Sequence, residues 1–201
     1  MSDLKIIEKL ENKLPRRLKR LENVTWFSKG FMVDEDENVT HLSIFNVKLN
    51  GHFPEEIFQL KSLQYLDIRT NYIKTIPADI GLLKKLTYLD IRYNELSQLP
   101  DTFNNLTNMQ KLYLGANQFT ELPVNIGNLN NLSLIDMSEN NIVDVEGAIF
   151  SLPSLTNIYL NDNKIKSLPF EHICVDQIIE MNISGNPISG LPDNISPKIK
   201  R

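Results

Sequence analysis

The chain has 201 residues, of which 41% are apolar and 23% charged, with a formal net charge of −4. That composition excludes wholesale disorder, and the negative balance gives no electrostatic case for nucleic acid as a partner. A lone cysteine, Cys174, rules out an intrachain disulfide, and no apolar run approaches the roughly 18 residues of a membrane span.

Residues 1–38 read as a helical and hairpin cap. Leu4, Ile7, Leu10 and Leu14 follow helical spacing, and Pro15 is expected to open a second short helix carrying Leu18 and Leu21. Charged residues in the first nine positions interrupt what a secretory signal would need as its apolar centre. With the single cysteine, this predicts a reducing, cytoplasmic setting. The basic run Arg16-Arg17-Leu18-Lys19-Arg20 could meet acidic lipid, nucleic acid or an importin-like partner, but reads first as the wet side of the cap. Trp26, Phe27, Phe31 and Met32 are expected to plug the cap's core. Phe31 to Val33, an acidic turn from Asp34 to Asn38, and Val39 to Leu42 predict a β-hairpin. Asp34-x-Asp36-x-Asn38 resembles the opening of a calcium loop. Val39 and Phe45 stand where that loop needs glycine and a bidentate glutamate, which excludes it.

Residues 39–192 are periodic. Asn71, Asn94, Asn117, Asn140, Asn163 and Asn186 stand 23 residues apart, each closing an L-x-x-L-x-L-x-x-N phrase. A first unit, from Val39 to Ser62, is one residue longer and has Val47 in place of the asparagine. Such a period marks a solenoid of about seven repeats, the last incomplete, followed by a tail over 193–201. In each unit the L-x-L stretch alternates as a short strand, its leucines inward. The asparagines would form an inner ladder satisfying the turns, and the prolines after the later leucines turn the return limb into loops or short helices. Glu146 stands at a proline position and His172 at an apolar one, where local irregularity is expected, with Ile173 and Val175 able to refill the second gap. Six N-x-S/T triplets, at Asn23, Asn38, Asn105, Asn131, Asn182 and Asn194, read as chance matches in an asparagine-rich chain.

The phrase resembles the leucine-rich repeat in its 23-residue LPxxIxxL form, as in the Ras-suppressor and Scribble-type intracellular scaffolds. The first unit, LNGHFPEEIFQL, is similar to the 24-residue form of plant receptors and some microbial proteins. The resemblance implies an α/β solenoid: a right-handed superhelix with a parallel sheet on its concave face and loops or short helices on its convex side. It also implies a non-catalytic module for binding proteins.

The variable residues between inward leucines define the candidate site. Third positions are His41, Tyr65, Tyr88, Lys111, Leu134, Asn157 and Glu180. Fifth positions are Ser43, Asp67, Asp90, Tyr113, Asp136, Tyr159 and Asn182. Seventh positions are Phe45, Arg69, Arg92, Gly115, Ser138, Asn161 and Ser184. Tyrosine and arginine, the types enriched at binding hot spots, gather in the first half of the array. The predicted partner site is therefore Tyr65, Asp67, Arg69, Tyr88, Asp90, Arg92, Tyr93, Lys111, Tyr113, Asp136 and Tyr159. An alternative is that the aspartates and arginines merely pair across strands. The more polar second half, with Ser138, Glu139, Asn161, Asp162 and Ser184, reads as a solvated face.

No catalytic, metal or cofactor constellation stands out. The three histidines lack metal spacing, and Cys174 beside His172 reads as a small buried thiol. The expected role is a monomeric intracellular adaptor or scaffold with a protein partner, for which the resemblance suggests a small GTPase or signalling enzyme. The alternative is the recognition arm of a larger kinase, GTPase or ubiquitin ligase.

Overall fold

The computed structural model describes residues 1–25, 27–145, 147–189 and 197–201, without the side chains of Asn125 and Ala148. One helix, α1 (Asp3–Glu11), precedes a single ten-stranded sheet. Its strands lie side by side in chain order: β1 (Lys19–Arg20), β2 (Gly30–Val33), β3 (Val39–Ser43), β4 (Tyr65–Asp67), β5 (Tyr88–Asp90), β6 (Lys111–Tyr113), β7 (Leu134–Asp136), β8 (Asn157–Tyr159), β9 (Glu180–Asn182) and β10 (Ile199–Lys200). All neighbours are parallel except the β2–β3 hairpin.

Register follows the sequence period. His41 pairs with Tyr65 across the longer first unit, and Tyr65, Tyr88, Lys111, Leu134, Asn157 and Glu180 then align across successive strands. The inward residues are sealed: Leu42, Leu66, Leu89, Leu112, Ile135, Ile158 and Met181 all have no exposed surface. Each strand is too short to bury its own apolar face, so the core exists only because neighbouring units stack.

The return limbs are 3-10 turns. Five of them, starting at Glu55, Ala78, Asp101, Val124 and Phe170, open directly after Pro54, Pro77, Pro100, Pro123 and Pro169. Proline cannot donate to a ladder and arrives with a fixed φ, so it ends pairing and launches the turn. A sixth turn, Gly147–Ser151, follows Glu146, which lies outside the described residues. His172 has not broken its unit: Ile173 is buried in its stead, and the imidazole lies over Gly147, where a Cβ would meet Nδ1 at 2.6 Å.

The asparagine amides make a continuous inner ladder. Nδ2 of Asn117 donates to the carbonyls of Leu114 and Gly115 in its own unit and of Ile91 in the one before, at 3.0–3.2 Å. Its Oδ1 accepts the backbone N–H of Leu96 at 3.0 Å, so one side chain stitches two units. The same pattern repeats at Asn94, Asn140, Asn163 and Asn186. Val47 needs no amide of its own, since Asn71 takes the Val47 N–H at 2.9 Å. The tight backbone of these turns falls one place before the asparagine. The residue before the asparagine is left-handed, as at Thr70, Tyr93, Ala116, Glu139 and Asp162, and the asparagine does the bonding.

Several expectations about the ends fail. The segment after Pro15 forms β1, paired parallel to β2, because Gly30 lets the two backbones close until a Cβ would lie on the Lys19 carbonyl. Leu18 keeps its apolar contact, packing against the core as a strand-flanking residue. Phe31 is buried, but Phe27 is 90% exposed and plugs nothing; Trp26 lies outside the described residues. The hairpin forms as predicted, with Asp34 Oδ1 accepting the N–H groups of Asp36 and Asn38. Cys174 is exposed. Ile195 falls outside the described residues, while Ile199, in the predicted tail, is buried as part of β10, beside Met181.

Candidate functional site

The parallel register brings the third-position side chains into a row. Ring centroids of His41 and Tyr65 are 5.6 Å apart, and those of Tyr65 and Tyr88 are 4.2 Å apart with planes 14° from parallel. Tyr88 then meets Tyr113, a fifth-position residue, at 5.2 Å and a 43° tilt. Stacked rungs of this kind hold one another in place, which gives a preordered aromatic ridge. Burial raises the Tyr65 hydroxyl to about 12, with the Asp67 charge adding to it, and pushes Tyr88 further up. Burial lowers His41. At neutral pH the ridge carries no phenolate charge.

The fifth-position aspartates are not presented to a partner. Asp67 and Asp90 are 1% exposed and Asp136 8%, against the expectation that they belong to the contact surface. Each folds back on its own strand end: Asp67, Asp90 and Asp136 accept the N–H of Arg69, Arg92 and Ser138. Short polar side chains bond locally to the backbone two residues on, and the sheet covers them once they do.

Each arginine pairs with the aspartate of its own strand, and Arg92 also reaches across to Asp136. Arg92 grips Asp90 with Nε at 3.0 Å and Nη2 at 2.6 Å, and its Nη1 lies 3.8 Å from Asp136. Its guanidinium also sits 4.8 Å from the centre of the Tyr113 ring. Arg69 has Nε 3.3 Å from Asp67 and lies 4.6 Å from the Phe45 ring centre. The bidentate grip of Arg92 over an aromatic face is arginine's particular geometry, and both arginine side chains keep part of their surface exposed. Asp67 is less well matched. Burial, reinforced by the Asp90 charge, raises its carboxyl to about 6 despite Arg69.

Gly115 leaves the seventh-position row one side chain short. Next to it lies a dip of about 280 Å³ bordered by Arg92, Tyr113, Leu134, Asp136 and Tyr159, where Arg92 reaches toward Asp136. A Cβ at Gly115 would come within 3.0 Å of Ser138 Oγ. Lys111 is exposed in the third-position row, beside Tyr88. Tyr93 is 54% exposed on a left-handed backbone at the strand ends. Tyr72, equally left-handed and 58% exposed, is a surface aromatic that the strand-position count missed. Its signal was the L-x-x-N-x turn, three places beyond the seventh position. Tyr159 sits apart from the ridge and donates to Glu180, itself held by Lys200. Among the described residues, no group of three or more His, Cys, Asp or Glu is placed to hold a metal ion, and no helix is long and apolar enough to cross a membrane.

Comparison with known proteins agrees with this architecture. A family profile for a leucine-rich repeat region matches residues 20–117, and one for the leucine rich repeat matches 107–165. No curated protein sequence matches the chain. Among solved structures, a leucine-rich repeat protein of Leptospira interrogans superposes with a TM-score of 0.68 at 24% identity, over 81% of this chain and 49% of that one. The ectodomain of the Arabidopsis thaliana receptor kinase GASSHO1/SCHENGEN3, solved in complex with CASPARIAN STRIP INTEGRITY FACTOR 2, gives 0.62 at 26% identity over 80% of this chain and 22% of that one. Pollen Receptor Kinase 3 gives 0.69 at 20% identity over 94% and 98%. The chain thus spans about half of the first relative and about a fifth of the second. With ten strands in chain order, the asparagine ladder and both profiles in agreement, the chain belongs to the leucine-rich repeat family.

Proposed function

We propose that this chain is a non-catalytic recognition module that captures a protein or peptide on the concave face between β3 and β8. Leucine-rich repeat domains mediate protein–protein interaction, and the receptor ectodomain above holds its own partner. The observation that carries the reading is the ridge of Tyr65, Tyr88 and Tyr113, stacked and flanked by two arginines already locked in place. A preordered surface loses little side-chain freedom on binding, so more of the contact energy appears as affinity. An adaptor or scaffold role inside the cell, as a monomer, fits the single cysteine. A small GTPase or signalling enzyme is the partner class the sequence resemblance suggests. The receptor-kinase relative favours a second reading, the recognition arm of a larger signalling protein.

The test must spare residues that hold the sheet together. Arg92→Ala would strip Asp90 of its partner, so lost capture there would confuse folding with recognition. Tyr93→Asn with Lys111→Glu alters only exposed positions. Affinity capture by the immobilised double variant should lose the partner retained by the wild type, with the melting temperature unchanged. Equal retention would move the site off this face.

A further inference from the structure

We propose that a cleft at the N-terminal edge of the array binds a small, multiply phosphorylated anion. This site lies outside the tyrosine ridge and does not depend on its reading. Three separate stretches line it: Pro15 to Lys19, Lys29, and Asn46 to Lys48, enclosing about 450 Å³. That volume is in the range of small-molecule pockets, roughly 300–1,000 Å³.

Five cations converge there: Arg16, Arg17, Lys19, Lys29 and Lys48, all exposed. Among the described residues, no ion pair joins any of the five to a carboxylate. Two nearby acids are paired with cations outside the cleft, and a third bonds the backbone of its wall. Glu37 holds Arg20 through two hydrogen bonds, Glu56 pairs with Lys13, and Glu11 accepts the Leu18 N–H at 2.7 Å. The acidic turn Asp34 to Glu37 sits at the far end of the β2–β3 hairpin from Lys29. In a chain of net charge −4, this segregation leaves one strongly positive cleft.

Its wall is also ordered. Lys29 Nζ donates to the Asn46 carbonyl at 3.2 Å and lies 4.6 Å from the Phe45 ring centre. Asn46 and Val47 are tied into the array through the Arg69 carbonyl and the Asn71 side chain. Lys48 is set by a left-handed φ of 61°.

Charge density selects the ligand. Each phosphomonoester carries about −1.5 to −2, so two or three groups on one small molecule match five cations. An acidic peptide would have to string about five carboxylates over roughly 16 Å of extended chain, whereas two or three phosphate groups concentrate the same charge on one small molecule. Arginine forks and lysine point charges both suit phosphate oxygens. The phosphates could be carried by a soluble molecule or by a lipid headgroup. Phe27, 90% exposed two residues before Lys29, would then meet the bilayer.

Calorimetric titration of the full chain with inositol 1,4,5-trisphosphate at about 0.15 M salt tests the site, with Debye screening held fixed. Saturable binding is expected, weakened about tenfold or more by Arg16→Gln with Arg17→Gln, as loss of charge-assisted hydrogen bonds requires. Lys48→Gln alone should weaken it severalfold, and Arg20→Gln, outside the cleft, should leave it within twofold. A parallel arm sediments phosphatidylcholine vesicles with and without phosphatidylinositol 4,5-bisphosphate. If the source is a bilayer, Phe27→Ala reduces vesicle binding and spares the soluble trisphosphate. Saturable binding in either arm supports the proposal. No binding in both arms, equal binding by the double variant, or equal competition from an octaglutamate peptide overturns it.

Discussion

Two ladders run the length of this solenoid at the same spacing, and they do opposite things. The inner one repeats a single residue, asparagine, whose amide is consumed by backbone groups of two adjoining units. The outer one changes at nearly every step, from His41 through tyrosines to Lys111, Leu134, Asn157 and Glu180. A buried polar position that must satisfy fixed backbone donors and acceptors tolerates little variety. A position facing solvent is free to vary and can therefore specify a partner.

The sharpest way to break that contrast is to remove a central inner rung. Asn117→Ala leaves the Leu96 N–H without its partner and takes one of two donors from the Ile91, Leu114 and Gly115 carbonyls, which keep Asn94, Asn140 and the Tyr93 N–H; it should cost about 3 kcal/mol, of which the orphaned N–H accounts for about 1–3. Asn186 makes the same bonds at the edge of the array, where its contacts are only part-buried. Asn186→Ala should cost about half as much, because water reaches the groups it frees. Denaturant midpoints of the two variants measure the difference, and equal losses would mean that the ladder's value does not depend on burial.

Asp67 lies between the two ladders in character, an outward position that folding has buried. Its carboxyl is raised from 3.8 to about 6, so between those values the folded protein binds a proton that the unfolded chain has released. This group's contribution to stability is therefore fully present below about pH 4 and lost as pH rises through 6. A carboxyl raised this far is worth roughly 2–3 kcal/mol, at about 1.4 kcal/mol for each tenfold change in proton affinity. Asp67→Asn should flatten the stability curve over that window. A wild-type melting profile with no component there would remove the claim. The smallest effect belongs to an exposed rim residue: Tyr93→Asn should change stability by less than about 0.5 kcal/mol, as is usual for surface positions. A larger loss would place Tyr93 among the structural residues.

Most of the array could be read directly. The 23-residue period determined strand, turn and register, because a pattern that repeats against itself removes the ambiguity of any single segment. Pairing from His41 to Glu180 follows the predicted alignment rung by rung. The candidate site was legible only as rows. Periodicity told which residues face the concave side, but not that Asp67, Asp90 and Asp136 would fold onto their own strand ends and disappear from it. Nor did it show that a dip opens between Arg92 and Tyr159 or that Tyr72 protrudes at the rim.

The ends were harder, for a related reason: without a repeat there is no second copy to check a reading against. Leu18 and Leu21 suit a short helix as well as a strand, and the close approach at Gly30 decided for β1. By itself, then, the amino-acid order determined the solenoid, its period and which residues its ladders comprise, since those depend on spacing alone. Which outward side chains stay available, and which cations gather around one cleft, was decided in the tertiary structure. The first joins a bond two residues on, as at Asp67, to cover from strands about 23 residues away, and the second draws on separate segments; the repeat spacing records neither outcome.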